Sequence, residues 1–131
     1  MRVPRFFAAA ILLLASFTAP AVAETREVRA NRTTVVEAMF VTEGKSCRYL
    51  GKLKHSVPGK PKHGRIDVSY ERHVVNEGRC AGRQVGLMLI RYTPNRGYRG
   101  KDSAVVSIRW PEFNGAPSSR SKRYKLDINV K

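Results

Sequence analysis

Residues 86–110, GLMLIRYTPNRGYRGKDSAVVSIRW, carry the pattern that decides the fold. They predict a strand, a tight corner and a second strand, with Pro94, Asn95, Gly97 and Gly100 supplying turn chemistry between two apolar runs. Residues 85–93 are almost continuously apolar, the composition of a central strand covered on both sides. After the corner, Ala104, Val106, Ile108 and Trp110 alternate with Val105, Ser107 and Arg109 until Pro111 stops the run.

The same period of two recurs on either side. Toward the C-terminus, a loop at 112–122 leads to a strand with Tyr124, Leu126, Ile128 and Val130 facing inward and Lys125, Asp127, Asn129 and Lys131 outward. Toward the N-terminus, residues 65–75 place Ile66, Val68, Tyr70 and Val74 on one face and Asp67, Ser69, Glu71 and His73 on the other, with Arg72 interrupting. Residues 76–84, NEGRCAGRQ, form a turn-rich link. Residues 55–64, HSVPGKPKHG, are expected to be a loop, because Pro58 and Pro61 exclude helix and a central strand. A short strand is expected at 47–53, with Cys47, Tyr49, Gly51 and Leu53 on one face. A long β-branched strand is expected at 33–42, ended by Glu43-Gly44. No segment sustains a period of 3.6 and nothing repeats, so the pattern describes an all-β sandwich or barrel.

The first 23 residues read as a secretory signal peptide. Arg2 and Arg5 precede a short apolar run, and Ala21-Val22-Ala23 supplies a small-residue cleavage site. The apolar run of about 12 residues falls short of the roughly 20 that span a bilayer, which argues against the alternative of an uncleaved anchor. No transmembrane segment remains after cleavage. The expected organisation is a signal peptide at 1–23, a flexible polar leader at 24–32 and one domain at 33–131. Cleavage removes two of the 25 basic residues and none of the 10 acidic ones, leaving a formal charge of +13. The expected location is periplasmic or secreted. There an even cysteine count favours one disulfide, Cys47 to Cys80, over two free thiols. Such a link clamps the two layers and closes a loop of roughly 34 residues, a stabilisation of about 3–4 kcal/mol in the chain-entropy model.

Pro61-Lys62-His63-Gly64, followed by a strand and then Tyr92-Thr93-Pro94, Gly97-Tyr98, Gly100 and Asp102-Ser103, resembles the signature of bacterial immunoglobulin-like and cadherin-like domains. The resemblance covers about 61–110 and implies an immunoglobulin-like antiparallel β-sandwich of about seven strands. It also implies a structural corner built on Tyr92, Pro94, Gly97, Tyr98, Gly100 and Asp102. In that corner Tyr98 is the packed aromatic, the glycines allow close backbone approach, and Asp102 accepts N–H bonds across the turn. The chain departs from the family pattern in its cysteine pair, in Ala104 where an aromatic is usual, and in lacking clustered acids. Calcium binding is therefore not carried over, and no cofactor is expected.

Catalytic signatures are missing from the sequence. It holds no Gly-x-Ser-x-Gly elbow and no phosphate-binding glycine loop. The acids are scattered, and Cys80 is a nucleophile only if Cys47 is not its partner. His55, His63 and His73 are the only histidines, and no pair has the i, i+2 or i, i+4 spacing that puts two ligands on one side. What remains is surface charge, gathered in three groups. These are Lys52, Lys54, Lys60, Lys62 and Arg65; Arg91, Arg96, Arg99 and Lys101; and Arg120, Lys122 and Arg123.

In a sandwich alternate connections emerge at the same end, so two of these groups are expected to share one basic patch. The sequence thus points to a non-enzymatic binding or structural module. Its expected partner is an anionic envelope polymer (lipopolysaccharide, a peptidoglycan-associated polymer or an acidic polysaccharide) or an acidic protein. Specific nucleic-acid binding is not expected, since no aromatics interleave with the basic residues. Two alternatives stand beside this one: a histidine-dependent metal protein or enzyme, and an inhibitor or regulator whose strand edge pairs with another chain.

Overall fold

A computed structural model of the chain describes residues 24–42, 46–51, 53–113 and 115–131. The signal peptide expected at 1–23, the Glu43-Gly44 turn and Lys52 lie outside the described residues. Seven strands form two sheets: β1 (Thr25–Val28), β2 (Thr34–Val41), β3 (Lys54–Gly59), β4 (Gly64–Val74), β5 (Gln84–Pro94), β6 (Gly100–Pro111) and β7 (Ser119–Val130). One sheet runs β1-β7-β6-β3 and the other β2-β5-β4. Strands two, five and four facing seven, six and three is the immunoglobulin order, with the first strand moved beside the last.

The corner of residues 94–100 joins β5 to β6, and those two strands lie in opposite sheets. Met88, Ile90 and Tyr92 of β5 therefore face Ala104, Val106 and Ile108 of β6 across the core, with Leu126, Ile128 and Val130 of β7 beside them. All of these are buried. β5 is central in its sheet, and even its outward-facing Val85 and Leu89 are buried between the flanking strands β2 and β4. That second burial is why the strand reads as almost continuously apolar.

Four local readings need correction. Residues 24–32, expected as a flexible leader, contain β1, which pairs in parallel with β7 from Thr25↔Asp127 to Val28↔Val130. Two contacts hold this short polar strand. Val28 is 2% exposed in the core, and Arg26 reaches the β2 edge, pairing with Glu37 at 2.6 Å. The sandwich is therefore antiparallel except at this one pair. The strand expected at 47–53 reduces to an isolated bridge, Thr42↔Tyr49, because Cys47 (φ 55°) and Gly51 (φ 83°) both turn the chain out of extended geometry. Residues 55–59, expected as part of a loop, belong to β3. Pro58 is accommodated because β3 is an edge strand whose register with β6 shifts between Ser56 and Gly59.

The fourth correction concerns the disulfide. Cys47 and Cys80 are bonded, with Cα atoms 5.6 Å apart. The link ties the β2–β3 connection to the β4–β5 connection at one end of the sandwich, rather than clamping the two layers through the core. Those loops carry few buried apolar groups of their own, so the covalent tie is what limits their freedom in the unfolded chain. Replacing both cysteines by alanine is expected to lower stability by about 3–4 kcal/mol in urea denaturation. The β-sheet circular dichroism should persist, because the main apolar cluster between the sheets includes neither cysteine.

Candidate functional site

Antiparallel alternation sends the β1–β2, β3–β4 and β5–β6 connections to one end of the sandwich and the disulfide-linked loops to the other. The first end is organised by one carboxylate. Asp102 Oδ1 accepts hydrogen bonds from the Lys62 N–H (3.0 Å) and the Ser103 N–H (2.9 Å). Its Oδ2 accepts from the His63 N–H (2.9 Å) and the Tyr92 hydroxyl (2.8 Å). One side chain thus joins the β3–β4 connection, the start of β6 and the buried tyrosine of β5.

The Pro61-Lys62-His63-Gly64 motif is shaped around this junction. The Asn95 N–H donates to the His63 carbonyl at 2.8 Å, and the His63 ring stacks on Tyr98 with centroids 4.1 Å apart and planes 5° from parallel. A Cβ at Gly64 would lie 2.5 Å from the Tyr92 ring and 2.6 Å from the Thr93 carbonyl oxygen, so only glycine lets the chain pass. Gly97 serves differently. Nothing crowds it, but its φ of 79° places it in the left-handed region, and its N–H donates to Asn31 Oδ1 at 2.8 Å. The Tyr98 hydroxyl donates to the Lys101 carbonyl at 2.6 Å, and Pro94 is buried beneath. Asn31 ties in the β1–β2 connection, so three loops are interlocked by side-chain and backbone bonds.

Burial by itself would raise the Asp102 carboxyl. The bonds donated by His63, Tyr92, Lys62 and Ser103 outweigh that and hold its pKa below the ordinary carboxylate range. Burial first, and the Asp102 carboxylate second, push the Tyr92 phenol well above its usual value. Asp102 is therefore a filled acceptor and a structural anchor, and its negative charge is spent internally.

Around that anchor stand the exposed side chains of Lys60, Lys62, Arg65, Arg96, Arg99 and Lys101, brought to the same end from two of the three sequence groups. Arg65 pairs with Asp67 at 3.0 Å. Among the described residues, Lys60, Lys62, Arg96, Arg99 and Lys101 form no ion pair. Arg29 and Arg32 stand at the same end on the β1–β2 connection, with Lys131, which pairs with Glu27 at 2.6 Å; there the Ala30 N–H donates to the Lys131 carbonyl at 2.7 Å. The two arginines fall in the segment whose polar composition predicts a leader, which hides them in the sequence; Val28, with Glu27 and Thr25 alternating about it, is the available signal. A cleft of about 590 Å³ lies against this end, lined by Lys62, His63 and Lys101, but Asp127 also faces it. The tips of the loops are the more uniformly positive surface.

The remaining basic positions are elsewhere. Lys54 (opposite Arg109), Arg120, Lys122 and Arg123 lie toward the disulfide end. Arg91 is half-buried on the outer face of the three-stranded sheet, where it bonds Ser69 and pairs with Glu71 at 2.7 Å. The histidines are also dispersed. His55 tilts on Tyr70 in β3, His63 stacks on Tyr98, and His73 tilts on Phe40 across the outer face of the other sheet. Among the described residues, no group of three or more His, Cys, Asp or Glu is placed to hold a metal ion. Cys80 is occupied by its disulfide.

Comparison with known proteins adds little. No family model matches the chain, and no curated protein matches it. A structural likeness exists to the solution structure of amebosin, with a TM-score of 0.44 and 14% identity over 82% of this chain and 88% of that one. That is too distant to transfer any property.

The Asp102 junction gives a pH prediction. A carboxyl with a depressed folded pKa contributes stability that is complete above its unfolded value, about 3.9, and is lost as pH falls through the lower folded value. Asp102→Asn is expected to cost about 1–3 kcal/mol at pH 7, by leaving donors poorly matched. The gap from the parent protein should narrow in urea denaturation repeated near pH 2.5.

Proposed function

We propose that this chain is an exported, non-catalytic immunoglobulin-like binding module that contacts an anionic polymer of the cell envelope through its Asp102-organised end. The observation that carries the reading is the concentration of basic side chains, unpaired among the described residues, on three connections locked to one another. Rigid loops lose little conformational entropy on binding, and fixed cations suit the repeating phosphates or carboxylates of lipopolysaccharide, a peptidoglycan-associated polymer or an acidic polysaccharide. Contacts of this kind are exposed and individually weak, about 0.5–1 kcal/mol, so affinity comes from several acting together and falls with salt. The charge of the exported chain and the signal-like N-terminus are consistent with a partner outside the cytoplasm.

The test is chromatography of the exported protein on immobilised lipopolysaccharide and on heparin across a salt gradient. The triple variant Lys62→Glu, Arg96→Glu, Arg99→Glu is expected to bind at least about tenfold more weakly, as three contacts of this size imply. Arg120→Glu with Lys122→Glu and Arg123→Glu, toward the other end, serves as the charge-matched control and should bind close to the parent. Equal loss in both variants would reduce the interaction to net charge, and retention indifferent to salt would sink the reading.

A further inference from the structure

Among the described residues, one lateral side of the sandwich is only half closed. β7 pairs with β6 over its whole length, from Gly100↔Val130 to Pro111↔Ser119, but with β1 only from Asp127 to Val130. Among the described residues, no strand pairs with the outer side of residues 119–126 of β7. On the facing sheet, β2 is likewise an edge strand, laddered with β5, and at its end the Val41 carbonyl accepts from the Leu50 N–H at 3.2 Å. Where β1 passes, Arg26 closes the gap, donating from Nε to the Val36 carbonyl at 3.0 Å and pairing with Glu37. Beyond that point, toward the disulfide end, no strand among the described residues joins the two edges, and Leu50 and Leu53 of the β2–β3 connection form the far wall of the space between the sheets.

Behind this opening lies a cleft of about 260 Å³ between the sheets, with Met39, Val41, Ile108, Trp110 and Tyr124 in its walls. Met39, Trp110 and Tyr124 are only half-buried there. We propose that this opening is a strand-accepting groove, which takes an extended, acidic segment of a partner protein in line with β1.

Two observations identify the occupant. The free stretch of β7 carries Arg120, Lys122, Arg123 and Lys125, so a second copy brought edge to edge would set like charges against each other. The pairs that Arg120 and Lys125 make with Glu112 and Asp127 are at the surface, with the cations 69% and 72% exposed, and an incoming carboxylate displaces such partners at little cost. β1 itself shows what the position accepts. Val28 points inward and is buried, while Glu27 points outward, 2.6 Å from Lys131 Nζ and 3.2 Å from Asn129 Nδ2. The same alternation continued along β7 puts apolar side chains beside Tyr124 and acids beside Arg123 and Lys125. A basic edge alone is also how proteins keep free strands from pairing. The apolar cleft behind this one separates an acceptor from a guarded edge, since β-augmentation needs both ladder bonds and side-chain pockets.

The experiment is amide hydrogen exchange by NMR on the exported protein, which begins at Glu24, alone and with a synthetic octapeptide alternating valine and glutamate. Peptide binding is expected to protect amides within residues 119–126. The Arg123→Glu, Lys125→Glu variant should bind it at least tenfold more weakly, and reversal at the Asp102 end should leave it unchanged. No protection at millimolar peptide overturns the proposal. So does equal binding of a valine–lysine octapeptide. Protection of the edge in the protein alone would mean that another part of the chain fills the groove. Sedimentation as a dimer that Tyr124→Lys disperses would assign the groove to a second copy, and either result contradicts an acidic partner.

Discussion

The Asp102 carboxylate is the constraint on which the arrangement of this molecule rests. Four donors from three separate stretches of chain converge on its two oxygens: the N–H groups of Lys62, His63 and Ser103 and the hydroxyl of Tyr92. Each donor is removed from water to some degree, and each would carry a desolvation cost if left unmade. The buried tyrosine fixes the acid to the core, and the acid fixes the β3–β4 connection to the β5–β6 corner. The basic side chains on those loops are consequently held at defined places on a surface.

Charge and fold are separable in this protein. The sheets are built by period-two burial of β5, β6 and β7, and nearly all of the basic residues point away from that core or lie on connections. The same excess of cations that makes one end attractive to a polyanion makes the free edge of β7 unsuitable for self-pairing. The two surfaces are at different places and have different chemistry: exposed loop tips at one end, and a strand edge backed by an apolar cleft on one side.

How much of this was legible depends on how local the signal is. β5, β6 and β7 were readable because alternation over 11 or 12 residues needs no knowledge of the partner strand. The corner was readable because its glycines and prolines have few conformational options. β1 was not: four residues, one of them apolar, become a strand only because β7 lies alongside, 102 positions away at Thr25↔Asp127. β3 was hidden by Pro58, whose tolerance depends on an edge position that the sequence does not record. The basic end was legible as a grouping of loops, yet Arg29 and Arg32 were lost with β1. No one-dimensional pattern marks the half-open side, which follows, among the described residues, from β1 pairing with β7 only over 127–130.

The most direct test of the Asp102 junction is native-state hydrogen exchange at the amides of Lys62, His63 and Ser103. If the carboxylate holds the three stretches as one unit, these amides should open together, with a free energy close to that of Met88 and Ile90 in the core of β5. Exchange of Lys62 and His63 at loop-like rates, while the core stays protected, would contradict the account and leave the basic end without a fixed geometry.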